Sequence, residues 1–103
     1  MSDLSNPDAL AIPPAALTAD DAFEVLRAWI AGDGLQVCMR MAFEDPGVWG
    51  QMLADIARHA ARMYVREGGL TEAEAIDQIV EIWNAEMGDP TDPGITEPFS
   101  GVQ

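Results

Sequence analysis

Three short signals between Asp45 and Glu74, and the apolar stripe between the first two, constrain the fold of this chain more than anything else in it. Asp45-Pro46 reads as an N-cap followed by a first helical residue, where proline's missing amide donor is harmless because that N–H would be unpaired anyway. Gly68-Gly69 ends the helix, since glycine takes up the left-handed backbone of a helix terminus without a Cβ clash. Thr71 with Glu74 then forms a capping box that opens a second helix. Between the first two signals, Trp49, Met52, Leu53, Ile56, Ala60, Met63 and Tyr64 recur at steps of three and four and draw one apolar stripe. The second helix is expected to bury Ala73, Ile76, Ile79, Val80, Trp83 and Met87, with Glu72, Glu74, Asp77 and Glu81 turned away. A connection this short makes the two helices antiparallel neighbours.

Upstream, residues 20–31 fit two templates. As a helix, Thr18 caps, Asp20 and Asp21 sit at the positive end, Phe23, Leu26 and Ile30 form a stripe, and Gly32 terminates it. As a strand, Glu24 to Ala31 feeds the turn Gly32-Asp33-Gly34 and returns as Leu35 to Met41, where Leu35, Val37, Met39 and Met41 alternate with Gln36, Cys38 and Arg40. A lone strand needs a neighbour, and the segment before a tight Gly-Asp-Gly turn supplies it. The reading adopted is one helical turn at Thr18 to Phe23 followed by a hairpin. The fold class is therefore α+β, a β-hairpin and then two antiparallel helices, in the order strand, strand, helix, helix.

Pro13-Pro14 makes residues 1–17 an extended arm. Residues 18–88 form a single α+β domain, and Asp89-Pro90-Thr91-Asp92-Pro93-Gly94 opens an irregular tail, 89–103, with only Ile95 and Phe99 to bury. A domain of this size buries only roughly 60% of the surface its unfolded chain exposes, so a second copy or a partner would help it. The three Trp and the internal Met residues are expected in the core, whereas Ile82 and Val65 fall off the buried stripes, where a partner or a homodimer would use them.

Charge narrows the choice of partners. Eighteen Asp and Glu face five Arg and no Lys, for a net charge of −13, which disfavours nucleic acid and anionic membranes and favours a basic protein partner. Cys38 is the sole cysteine, so no internal disulfide forms. The N-terminal residues lack a positive region and an apolar core of the signal-peptide kind, and no apolar run approaches the roughly 20 residues of a membrane span. The expected location is the cytoplasm.

Three words in the sequence carry a likeness: Ile12-Pro13-Pro14-Ala15-Ala16-Leu17, Leu26-Arg27-Ala28-Trp29-Ile30-Ala31, and Trp49-Gly50 followed by Leu53-Ala54-Asp55-Ile56-Ala57-Arg58-His59. With them the chain resembles a family of small bacterial proteins known only as a domain of unknown function, over most of its length from about Ile12 to Thr91. The resemblance implies a bacterial, cytoplasmic, compact domain and brings no activity, cofactor or catalytic residue with it.

The candidate site lies on the long helix. His59 follows Asp55 by four residues, so the two share a face, and Arg58, Arg62 and Arg66 form a ladder at steps of four. Asp-x-x-x-His offers two metal ligands or an oriented imidazole, but a metal wants three or four ligands, and Cys38 is the only other soft donor. The bland reading is a half-buried His59 bonded to Asp55. For the ladder, one reading is an anion site built from guanidinium forks, and the other is pairing with the chain's own acids, Asp55, Glu67 and the second helix. Serine nucleophiles have no base nearby, since Ser2, Ser5 and Ser100 lie in the tails, and phosphate-cradling and calcium-binding loops are absent.

No catalytic or metal residue and no cofactor is assigned on these grounds, and the chain is not read as an enzyme. The leading reading is a non-enzymatic acidic protein-binding or regulatory module. The alternatives are a small-ligand or metal-binding domain using Asp55, Arg58, His59 and Arg62, with Arg66 on the same flank, and an anionic decoy or immunity-like inhibitor.

Overall fold

The computed structural model describes residues 6–97, in the order α1 (Pro14–Thr18), β1 (Leu26–Ala31), β2 (Gly34–Met39), α2 (Gly47–Glu67) and α3 (Glu72–Gly88). Met1 to Ser5 of the expected arm, and the end of the expected tail with Phe99 and Ser100, lie outside the described residues. The chain divides after Arg40 into two compact units, so the domain expected over 18–88 draws on both.

In the first unit, the strand reading of residues 26–31 holds, and the helical turn lies earlier than Thr18 to Phe23. Pro14 is the first helical residue and Pro13 is extended at φ −58°, ψ 143°, as a residue before proline must be. The two prolines therefore start a helical turn inside the arm that was expected to be extended, because proline's fixed φ suits the first turn as well as it suits an extended chain. Thr18 closes this turn, its hydroxyl donating to the Ala15 carbonyl at 3.3 Å, and the Asp20-Asp21 stretch is a turn.

The hairpin pairs Leu26 with Met39 through Ala31 with Gly34, antiparallel, leaving Gly32-Asp33 as a two-residue loop. Gly32 has φ +63° and no other residue of the loop is left-handed, the pattern of a type II′ turn whose twist matches the strands. The return strand stops at Met39, short of the expected Met41. Arg40 still donates its N–H to the Val25 carbonyl at 2.9 Å, extending the ladder one rung past the strands. At this end, Glu24 receives both Nε (3.3 Å) and Nη2 (3.1 Å) of Arg27, while Arg40 bonds the Glu24 carbonyl at 3.0 Å and lies 5.5 Å over the Phe23 ring. Two of the five arginines thus fasten the base of the hairpin.

In the second unit, the three boundary signals act where the sequence places them, with α2 assigned from Gly47, one residue after the expected start. Pro46 has helical dihedrals, and the Asp45 carboxylate accepts the Gly47 N–H at 2.8 Å. Gly68, at φ 92° and ψ 158°, donates its N–H to the Tyr64 and Val65 carbonyls and ends α2. Thr71 and Glu74 bond reciprocally at 3.1 and 2.8 Å, and α3 packs against α2. Phe43 meets Trp49 edge to face, 5.4 Å between centroids, just before and at the start of α2.

The core differs from the expected stripes. Among the described residues only Ala61 (0% exposed) and Ala75 (3%) are buried, whereas Met63, Tyr64, Val80, Trp83 and Met87 are exposed and Ile76 and Ile79 half-buried. Two helices touching along one seam enclose only the small side chains at their closest approach. The large residues of each stripe lie to the sides of that seam. The expectation that the tryptophans form a core therefore fails for Trp83 and holds in part for Trp29 and Trp49, which are half-buried.

Candidate functional site

Asp55, Arg58, His59, Arg62 and Arg66 all lie on α2 and all are exposed. Arg62 pairs with Glu72 of α3, Nε to carboxylate 3.6 Å, with both side chains about half open to solvent. Arg58 and Arg66 make no ion pair among the described residues, and Asp55 and His59 make no hydrogen bond to each other. Internal pairing thus occupies one rung of the ladder, through the second helix. His59 is exposed instead of half-buried, as are Ile56 and Met63 of the stripe beside it. No group of three His, Cys, Asp or Glu side chains among the described residues is gathered closely enough to hold a cation. The flank is a solvated helix face.

The concave surface of this unit is elsewhere, between the end of α2 and the outer face of α3. Tyr64, Leu70, Ile79, Ile82 and Trp83 line a groove of about 590 Å³, with Glu86 at its side. Ile82 is 62% exposed and Trp83 45%, so the groove is an open apolar trough. The sequence held one signal of it: Ile82 stands off the stripe that was expected to be buried. It gave no sign that Tyr64 and Trp83, on the expected stripes, would face outward beside it.

The rim is acidic. α3 carries Glu72, Glu74, Asp77, Glu81 and Glu86 and no basic residue, and Glu72 and Glu74 suit the positive end of the helix. Glu86 is held by the chain that follows the helix. Thr91 donates its hydroxyl to one Glu86 oxygen at 2.6 Å and its N–H to the other at 2.9 Å. The hydroxyl bond chiefly, and then the N–H bond, hold the Glu86 carboxyl below its ordinary pKa, because both stabilise the ionised form. The expected irregular tail therefore begins with an ordered clasp that keeps a charge beside the groove.

A folded-state pKa below the unfolded one adds stability above the unfolded value, which is lost as pH falls through the folded midpoint. In Thr91→Val the hydroxyl bond disappears and the N–H bond remains. The Glu86 midpoint, followed by side-chain carboxyl NMR, is expected to rise toward the ordinary value without fully reaching it. An unchanged midpoint would show that the clasp does not form.

The first unit has a small open recess between the base of β1 and the end of β2, lined by Glu24, Val25, Arg27, Cys38 and Arg40. Its arginines are the ones already engaged by Glu24, and Cys38 is exposed. No helix among the described residues is long and apolar enough to cross a membrane.

A family model described as a domain of unknown function, DUF5076, matches residues 9–91. The chain belongs to the DUF5076 family. A solved structure from the photosynthetic bacterium Rhodopseudomonas palustrus CGA009 is 47% identical, with a TM-score of 0.77, and the match covers 92% of this chain and 98% of that one. That protein is provisionally named a pyruvate dehydrogenase. No curated protein matches this DUF5076 chain. The family assignment accords with the resemblance to an uncharacterised family, and it assigns no function.

Proposed function

We propose that this DUF5076 domain is a non-enzymatic, cytoplasmic protein-binding module that takes a basic amphipathic segment of a partner protein into the α2/α3 groove. The observation that carries this reading is the trough of Leu70, Ile79, Ile82 and Trp83 beside a helix bearing five carboxylates and no base. Apolar side chains of the partner would fill the trough and its Lys or Arg side chains would meet the rim, the arrangement by which helix-in-groove recognition gains both area and orientation. Glu86, kept ionised by Thr91, is the acid nearest the apolar floor. The dehydrogenase name is that of the Rhodopseudomonas palustrus protein and assigns no residue role here. The flank that the sequence singled out is exposed helix face, and the small-ligand reading is not carried forward.

The probe is a helical peptide of Leu and Lys with one apolar face, titrated into the full chain by calorimetry, with a Leu and Glu peptide of the same pattern as control. Binding of the cationic peptide that weakens as salt rises is the expected result. Trp83→Ala is expected to weaken it by about 30-fold, the loss typical of a central aromatic anchor. Equal binding of the two peptides, or binding indifferent to salt, would overturn the reading.

A further inference from the structure

The hairpin register sorts its side chains into two unlike faces. Cross-strand partners share a face and successive residues alternate, so Leu26, Ala28, Ile30, Leu35, Val37 and Met39 lie together and are all apolar. Ile30 is 77% exposed, Leu35 64% and Val37 40%. The same six residues carry the outward backbone groups. Ala31 and Gly34 close the two-residue loop as a hydrogen-bonded pair, and the bond from Arg40 to Val25 confirms the parity. Every second pair from the loop, Ile30 with Leu35, Ala28 with Val37 and Leu26 with Met39, therefore points its N–H and C=O groups to the free edges.

The two edges are not alike. Edge strands are ordinarily guarded by charge or proline. β1 carries Arg27, tied to Glu24 at its base, whereas β2, Gly34 to Met39, has no charged residue, no proline and no bulge. In a chain of net charge −13, this is a stretch that sets no carboxylate of its own against a second copy. A basic partner would find no carboxylate along it to pair with.

We propose that β2 is a self-association edge, along which the β2 strand of a second copy of this chain adds antiparallel to make a four-stranded sheet. The outward groups limit the register to even offsets, and the proposed offset is the one that pairs all three outward residues of each β2. Val37 lies on the two-fold axis opposite Val37 of the second copy, and Leu35 lies opposite Met39, so hydrogen-bonded pairs form and the apolar faces of both hairpins run on continuously. The interface is isologous and closes at two copies. It also supplies the additional strands that a two-stranded sheet needs to be stable.

The test is sedimentation of the full chain between about 1 and 100 μM, joined to disulfide trapping. The wild-type chain is expected at twice its 11.1 kDa mass, and Val37→Lys is expected to raise the dimer dissociation constant by at least about tenfold. In a Cys38→Ser background, Val37→Cys is expected to form an interchain disulfide on oxidation. Hydrogen-bonded antiparallel partners stand about 5.5 Å apart at Cα, within disulfide reach. Leu35→Cys in the same background, opposite Met39 and not itself, is expected to stay uncrosslinked. A monomer throughout the concentration range, an unchanged dimer in Val37→Lys, or equal trapping of Leu35→Cys and Val37→Cys would overturn the proposal.

Discussion

Ala61→Leu is expected to destabilise the helix pair by about 1–3 kcal/mol, the usual cost of forcing extra methylenes into a packed site. Ala61 is fully enclosed at 0% exposure, on a seam whose only other buried residue among those described is Ala75. A seam of small residues sets how closely α2 and α3 approach, and a leucine there must push the helices apart or turn off its rotamer. The check is urea unfolding followed by far-UV circular dichroism, with the midpoint of Ala61→Leu compared with that of Met63→Leu. Met63 is largely exposed, so its replacement is expected to fall within about 0.5 kcal/mol of wild type. Equal midpoints for the two variants would show that the buried seam does not hold the pair.

Gly68→Ala is expected to cost about 1–3 kcal/mol for a different reason. At φ 92° and ψ 158°, Gly68 sits in backbone territory that is essentially closed to residues with a Cβ. A Cβ added there would meet no atom within 4 Å, so the cost is conformational and not a clash. Gly50, inside α2 with open space around its missing Cβ and without a positive φ, gives the contrasting result: Gly50→Ala is expected to be neutral or stabilising by up to about 1 kcal/mol. Thermal unfolding of the two variants side by side checks the pair of signs.

The contrast between these positions also explains what the sequence could convey. Asp45, Gly68, Thr71 and Glu74 act through bonds and dihedrals within a few residues of themselves, and each performs in the structure as its local pattern implies. The Gly32-Asp33 turn is likewise local, and it settles residues 26–31 as a strand. The misplaced helical turn shows the limit of even local reading, because Pro13-Pro14 suits both an extended arm and the start of a helix. Burial is not local. The stripe from Trp49 to Tyr64 is a correct statement about one helix, but how much of it is covered depends on how many elements pack there. Two helices alone cover Ala61 and Ala75 and leave Tyr64, Ile82 and Trp83 on the outside.

The same distinction accounts for the site. The Asp55, Arg58, His59, Arg62 and Arg66 flank was legible because its residue types are rare in this chain, yet rarity says nothing of concavity, and the flank is open. The groove was nearly silent in the sequence because its floor is made of residues that read as ordinary core. Only Ile82, out of step with its neighbours, pointed toward it.

The central claim is that the α2/α3 trough, lined by Glu86 of the acidic helix α3, is where this protein meets a basic partner segment. The most direct measurement is amide and methyl chemical-shift mapping of the full chain during titration with the cationic Leu and Lys peptide. The account predicts that the largest shifts fall on Leu70, Ile79, Ile82, Trp83 and Glu86, and that they vanish with the Leu and Glu peptide. Shifts centred instead on Arg58, His59, Arg62 and Arg66, or no shifts with either peptide, would contradict it.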